Sequence, residues 1–296
     1  MKQKKVQLSY HLMMAPAMIF LVIFSIIPMF GIVMAFQNYI PAKGILHSKW
    51  VGLDNFKYMF SLPDCAQIFQ NTLIIAIGKI AFGTIAAVLF ALLLNEIRVK
   101  WFKKSVQTIV YLPNFLSWVV LATIILNIFS ISGPINAILG MFGIEPILFM
   151  GSNTWFRSML IGTDVWKGFG YGSIVYLAAL TGIDPTLYEA ASVDGATRFR
   201  QLLNITFPAL VPTIILMTAL NLGNILNAGF DQIYTLYNPL VYQTSDVIDT
   251  YVYRVGLIQR QYSLATAVGL LKSVVSFILI VSANEMSKKL TNQRIF

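Results

Sequence analysis

Tyr188-Glu189-Ala190-Ala191-Ser192-Val193-Asp194-Gly195-Ala196-Thr197-Arg198-Phe199-Arg200, YEAASVDGATRFR, is a polar island between two long apolar runs. Its local signals are legible. Asp184-Pro185 just upstream is a helix start: Asp caps free amides and Pro has its φ preset for the first turn. Glu189 falls early, near the positive end of that helix. Gly195 can take the left-handed conformation that stops a helix, and Thr197 can cap a second short helix leading to Pro208. The segment therefore predicts a helix, a glycine corner and another helix. Leu187, Ala190 and Ala191 lie close together on the first helix. Paired alanines give a flat surface that another protein can approach closely. The competing reading is a helix folded back on its own bundle, and the residues alone leave both open.

The surroundings of this island set the class. The 296 residues are 57% hydrophobic and 11% charged, where a soluble domain carries roughly 25% charged residues. This is the composition of an integral membrane protein. The net charge of +9 does not point to nucleic acid, because the basic residues fall in short clusters beside apolar runs. Cys65 stands alone, so no intrachain disulfide framework is possible. His11 and His47 lie far apart, on expected opposite sides of the membrane, so no metal centre or catalytic triad is expected. The chain holds no G-x4-G-K-[ST] phosphate loop. Gly168-Phe169-Gly170-Tyr171-Gly172 has the wrong spacing for one and suits close helix packing instead.

Six runs are long enough to cross a bilayer: about 12–36, 71–94, 106–129, 158–180, 207–228 and 264–286. Each must satisfy its own backbone in lipid, so each is expected to be a helix; continuous rather than alternating hydrophobicity excludes a β-barrel. Lys2, Lys4 and Lys5 before the first run, with Ala15-Pro16-Ala17 inside it, imitate a cleavable signal. The run continues through Ala35, which favours a retained span. With the N-terminus inside, the inner segments hold twelve Lys and Arg and the outer segments six. Both termini are thus expected to be cytoplasmic, with YEAASVDGATRFR in a cytoplasmic loop, 181–206. The expected organisation is an N-terminal segment with first span and outer loop, 1–70, a core transmembrane domain, 71–286, and a cytoplasmic tail, 287–296. In the last outer loop Val247, Ile248, Tyr251, Val252, Val255 and Ile258 repeat at helical spacing after Ser245 and Asp246, which predicts a short amphipathic helix.

Polar residues inside spans are candidates for a solute path, because each costs free energy in lipid. Asn221, Asn224 and Asn227 share one face of span five at i, i+3 and i+6. Their amides both donate to and accept from hydroxyls. Trp118, Trp166, Phe169 and Tyr176 add aromatic surface. Interhelical bonding of the asparagines and simple packing of the aromatics compete with these roles. Lys79, Lys167 and Lys272 lie in or near spans, and Asp164 three residues before Lys167 is its expected partner. Lys79 and Lys272 have no acid in their own spans. They either snorkel and pair elsewhere, or line the path and attract an anionic solute.

The island also carries a resemblance. Glu189-Ala190-Ala191, three residues, Gly195, nine residues and Ile205-Thr206-Phe207-Pro208 resemble the E-A-A-x3-G-x9-I-x-L-P signature of binding-protein-dependent ABC importer permeases, with Phe207 replacing the usual Leu. The segments 71–83, 111–120 and 230–239 (NTLIIAIGKIAFG, YLPNFLSWVV, FDQIYTLYNP) resemble the sugar-permease branch of that family. DVIDTYVYRVGL, 246–257, is similar to its complex-oligosaccharide or polysaccharide subgroup. The resemblance implies an all-α type I importer fold in a bacterial cytoplasmic membrane. It implies coupling through Leu187, Glu189, Ala190, Ala191, Gly195 and Pro208. The implied partners are a second homologous permease, two ABC ATPase subunits that bind the ATP and Mg, and an extracytoplasmic sugar-binding protein. The implied cargo is an oligosaccharide, and a path lined by Lys79 and Lys272 would suit a uronate-containing one. A smaller polar solute such as glycerol phosphate is the other cargo reading. An ion-driven secondary carrier or a membrane scaffold is the reading from a different class.

Overall fold

Proline and glycine decide where the apolar runs stop being straight helix. The computed structural model describes residues 2–291. Its elements include α1 (Lys2–Leu21), β1 (Gln37–Asn38), β2 (Lys49–Trp50), α2 (Pro63–Glu96), α3 (Lys100–Tyr111), α4 (Trp118–Ile128), α5 (Asn153–Thr181), α6 (Pro185–Val193), α7 (Phe207–Gly223), α8 (Phe230–Leu236), α9 (Ile248–Tyr253) and α10 (Tyr262–Thr291). The expected tail from 287 is helical as far as Thr291, while Arg294 and the rest of it lie outside the described residues.

The chain divides into two compact units, Met1–Cys65 with Tyr251–Leu271, and Ala66–Thr250 with Lys272–Phe296. In the first, α1 runs on through a π turn and a 3-10 segment to Phe36. The apolar stretch Tyr10–Phe36 is only 6% buried, so its side chains need lipid or another subunit around them. The outer loop that follows is structured. Gln37 pairs with Trp50 and Asn38 with Lys49 in a two-strand ribbon. Phe36 stacks on Trp50 at 5.7 Å, and Asn55 donates to the carbonyls of Ala35 and Gln37.

The second unit holds the core. Leu121, Ala122 and Ile125 of α4 pack with Ile75, Phe156, Leu160 and Ile233 in one apolar cluster. Ala87, Val88 and Ala91 of α2 pack with Tyr176, Leu180 and Leu210 in another. At the end of the unit formed by the 240s, Asn71 is fully buried and donates to the carbonyls of Gln243 (3.1 Å) and Asp246 (3.0 Å). Arg157 donates to the Asn71 side chain and to the Thr244 carbonyl (3.0 Å). This polar hub ties the start of α2 and α5 to the segment before α9. The expected helix there forms as α9, with Val247 and Ile248 fully buried. Thr250 donates to the Asp246 carboxylate.

Among the described residues, four helices are long and apolar enough to cross a membrane: Tyr10–Phe36, Pro63–Glu96, Arg198–Gly223 and Tyr262–Ser282. A fifth exists if Lys100–Phe115 and Trp118–Ile128 form one span, and these are bent by 104°. The continuous helix expected over 106–129 is therefore replaced by two helices with a break between them. Pro113 lacks the N–H a helix needs, the chain turns to 3-10 geometry at Leu112–Phe115, and Ser117 caps a new helix by accepting from Val120 N. α5 has the length, 29 residues, but Arg157, Asp164, Lys167 and its glycines make it less apolar than the others. Span five also ends early. α7 stops at Gly223, five residues short of the expected 228, with Asn224 outside helical geometry (φ −108°, ψ 16°). Asparagine amides compete for backbone groups, and Gly229 at φ +93° redirects the chain into α8.

Candidate functional site

The polar island folds as its residues dictate. The Asp184 carboxylate accepts from Thr186 N at 2.9 Å, and that bond holds the Asp184 pKa below its ordinary value. α6 then ends in a two-bond glycine cap: Gly195 N donates to the Ser192 carbonyl (3.1 Å) and Ala196 N to the Ala191 carbonyl (2.9 Å). Gly195 sits at φ +73°, the left-handed geometry that this cap requires. Thr197 caps the next helix through Arg200 N. Pro208 lies within the continuous helical stretch Arg198–Gly223, directly after its π-helical turn Leu202–Thr206, where the hydrogen-bond ladder already departs from α geometry.

The corner is braced from inside. Tyr188 and Thr206 hydroxyls bond at 3.0 Å, and the Gln201 amide donates to Ser192 Oγ at 2.9 Å. Arg198 lies 4.0 Å from Glu96, at the end of α2. Among the described residues none covers the opposite face of α6. Leu187 is 51% exposed and Val193 88%, with Glu189 and Ala190 exposed between them and Ala191 half-buried. Leu187, Ala190 and Val193 at i, i+3 and i+6 make an apolar stripe facing outward, and Phe199 past the corner is also exposed.

Between α2, α5 and α7 lies a cavity of about 390 Å³. Lys79, Tyr176, Asn221, Asn224 and Asn227 all line it, together with Thr84, Asp164 and Phe169. The three asparagines thus converge, though not as one helical face: Asn221 is on α7, while Asn224 and Asn227 lie on the break that follows. Gly168 and Gly172 contribute open volume. Gly170 faces the other way, where a Cβ would come within 2.6 Å of the Val110 carbonyl, so this glycine lets α3 approach α5. Trp166 lines a separate apolar pocket of about 320 Å³ with Ile124, Ile128 and Met159. Trp118 lies under the Lys167 ammonium, 5.5 Å from its ring centre.

The three lysines are partnered across helices. Asp164 is 3.3 Å from Lys79 rather than bound to Lys167, which donates to the Asn114 carbonyl at 2.9 Å. Asp164 and Lys167 project at different angles from α5, so sequence proximity does not bring them together. Lys79 also donates to the Ala228 carbonyl (2.7 Å) and to the Gln232 side chain. Lys272 donates to Asp249 (2.6 Å) and to the Asn227 carboxamide (2.7 Å). Gln232 and Asp249 are the residues that sequence reasoning missed. Both lie in segments noted for resemblance, but nothing local marks either as a lysine partner.

The comparisons agree with this architecture. The family model for the inner membrane component of binding-protein-dependent transport systems matches residues 80–292. A polygalacturonan/rhamnogalacturonan transport system permease protein of Bacillus subtilis is 41% identical, over 99% of this chain and 92% of the relative. Protein LplB of the same organism is 42% identical, over 97% and 90%. A crystal structure of a bacterial ABC transporter involved in import of the acidic polysaccharide alginate superposes with a TM-score of 0.90 at 40% identity, covering 98% of each chain. A second structure of a bacterial alginate ABC transporter, in complex with an alginate pentasaccharide-bound periplasmic protein, gives 0.90 at 39%, covering 99% of this chain and 98% of that one. The chain belongs to the family of inner membrane components of binding-protein-dependent transport systems and is a permease subunit rather than an enzyme.

Proposed function

We propose that this chain is the permease subunit of an ATP-driven importer of oligosaccharides, including uronate-containing ones. It works with a second permease, two ATPase subunits that hold ATP and Mg, and an extracytoplasmic binding protein. The carrying observation is the outward apolar stripe Leu187–Ala190–Val193 on a capped rod beside the Gly195 corner. A surface of that size, left open by its own bundle, suits the cleft of a motor subunit. Ala190 and Ala191 permit close approach, Glu189 offers a carboxylate to a donor in the cleft, and Pro208 starts the span that the rod would swing. Displacing the rod would move α5 and α7, between which the cavity lies, and so alternate its access.

The cargo class is supported by the cavity's amides, hydroxyls and aromatic rings, which match sugar chemistry. The acidic character is supported by the relatives named for polygalacturonan and alginate. An ion-driven carrier would need a chain of acidic residues along its path, whereas Asp164 and Asp249 are each paired with a lysine.

The test is reconstitution with the ATPase, the second permease and the binding protein, measuring ATP hydrolysis against neutral and acidic oligosaccharides. The expected result is cargo-stimulated hydrolysis in the wild type and its loss in Glu189→Lys, with that variant still in the membrane. Full uptake by Glu189→Lys would count against coupling through this loop.

A further inference from the structure

We propose that Lys79 and Lys272 are positioning residues: from two different spans they hold the break after α7 in the shape that turns Asn224 and Asn227 into the cavity. This rests on the reading of that cavity as the cargo path.

The break is a physical problem. A chain leaving helical geometry at membrane depth uncovers backbone carbonyls that lipid cannot satisfy. Here the Ala228 carbonyl is met by Lys79 at 2.7 Å, and the neighbouring Asn227 side chain by Lys272 at 2.7 Å. An ammonium has three donors. Those of Lys79 meet three acceptors: the Ala228 carbonyl, the Gln232 carboxamide and Asp164. Its side chain is 9% exposed, so little of it is left for a solute. Gln232 is fully buried and itself fixed, donating to the Leu160 carbonyl (2.7 Å) and Thr163 Oγ (2.8 Å) of α5. Gly229 completes the fit, because a Cβ there would lie 2.8 Å from the Lys79 nitrogen.

Each ammonium also has a carboxylate beside it, Asp164 or Asp249. Two neutral pairs therefore clamp residues 227 and 228. What the clamp presents to the cavity is the asparagine amides. A lysine acting directly on an anionic sugar would favour acidic cargo over neutral cargo. A lysine acting through the break affects both alike.

The experiment uses the assembled complex and compares maximal uptake of a neutral and an acidic oligosaccharide in Lys272→Met, Lys272→Arg, Asp249→Asn and Gln232→Leu. Positioning predicts that Lys272→Met, Asp249→Asn and Gln232→Leu lower uptake of both sugars together, by about tenfold or more, and that Lys272→Arg recovers most of it. Copurification with the ATPase establishes assembly of each variant, and Gln232→Leu perturbs the clamp without removing any lysine. Increased acidic uptake in Asp249→Asn, or a loss confined to the acidic sugar in Lys272→Met, would overturn the proposal, as would wild-type uptake in all four. Absence of cargo-stimulated hydrolysis in the wild type is a different failure: it sinks the importer reading and not the clamp.

Discussion

Asp164 reaches across to Lys79, 3.3 Å away on another helix, and leaves Lys167 one turn along its own helix to a backbone carbonyl and a tryptophan face. A charge at a helix centre costs about 2.5–3.5 kcal/mol on insertion scales, so each must find a partner inside the bundle. The choice of partner decides what the site can do. Because the pairs are Lys79–Asp164 and Lys272–Asp249, Lys79 offers the cavity no uncompensated charge, and Lys272 is not among the residues that line it.

The corner at Gly195 has φ +73° and open space where a Cβ would stand. Only backbone strain opposes a side chain there. Gly195→Val forces a β-branched residue into left-handed geometry at about 1–3 kcal/mol, and should abolish uptake while ATP hydrolysis continues. Asparagine tolerates that geometry, so Gly195→Asn should keep most of the uptake. Parallel uptake and hydrolysis measurements on reconstituted vesicles check both, and equal behaviour of the two variants would refute the conformational account.

Asp184 caps α6 as a carboxylate, and its folded pKa lies below the unfolded value because Thr186 N donates to it. The cap's contribution is present above the ordinary aspartate range and is lost as pH falls through the lower folded value. Asn caps comparably without titrating. Amide protection in the first turn of α6 should therefore fall at acid pH in the wild type relative to Asp184→Asn, as read by hydrogen exchange with mass spectrometry.

Gly170 and Gly162 lie on the same helix and differ in their surroundings. A Cβ at Gly170 would meet Val110 at 2.6 Å, while one at Gly162 meets nothing within 4 Å. Gly170→Ala should lower stability by about 1–3 kcal/mol through overpacking of α3 on α5. Gly162→Ala should be neutral or slightly stabilising, because alanine is the better helix former. Thermal unfolding in detergent discriminates them, and an equal shift for both would mean that close approach is not what Gly170 provides.

The capped rod α6 was readable residue by residue. Asp184, Pro185, Gly195 and Thr197 each act within one turn of themselves, and all four do in the fold what their chemistry requires. The asparagines were legible only in part. Their spacing suggested a helical face to 228, but Asn224 ends the helix and the break, not the periodicity, gathers them at the cavity. Trp118 and Trp166 read like Phe169 and Tyr176 as aromatics in spans, yet of the four Phe169 and Tyr176 reach the cavity and the tryptophans do not. Gln232 was invisible, since a glutamine in an amphipathic segment carries no local mark of being fully buried.

Membrane residence, helical class and the capped rod follow from composition and from interactions a few residues long, which any reader of the chain can evaluate. Which charge answers which, where span three bends to 104° and which face of α5 lines the cavity were settled only by packing. The reason is rotational: partners on neighbouring helices meet or miss according to how each helix turns about its own axis. That angle is fixed by the summed contacts of the whole bundle rather than by any one segment.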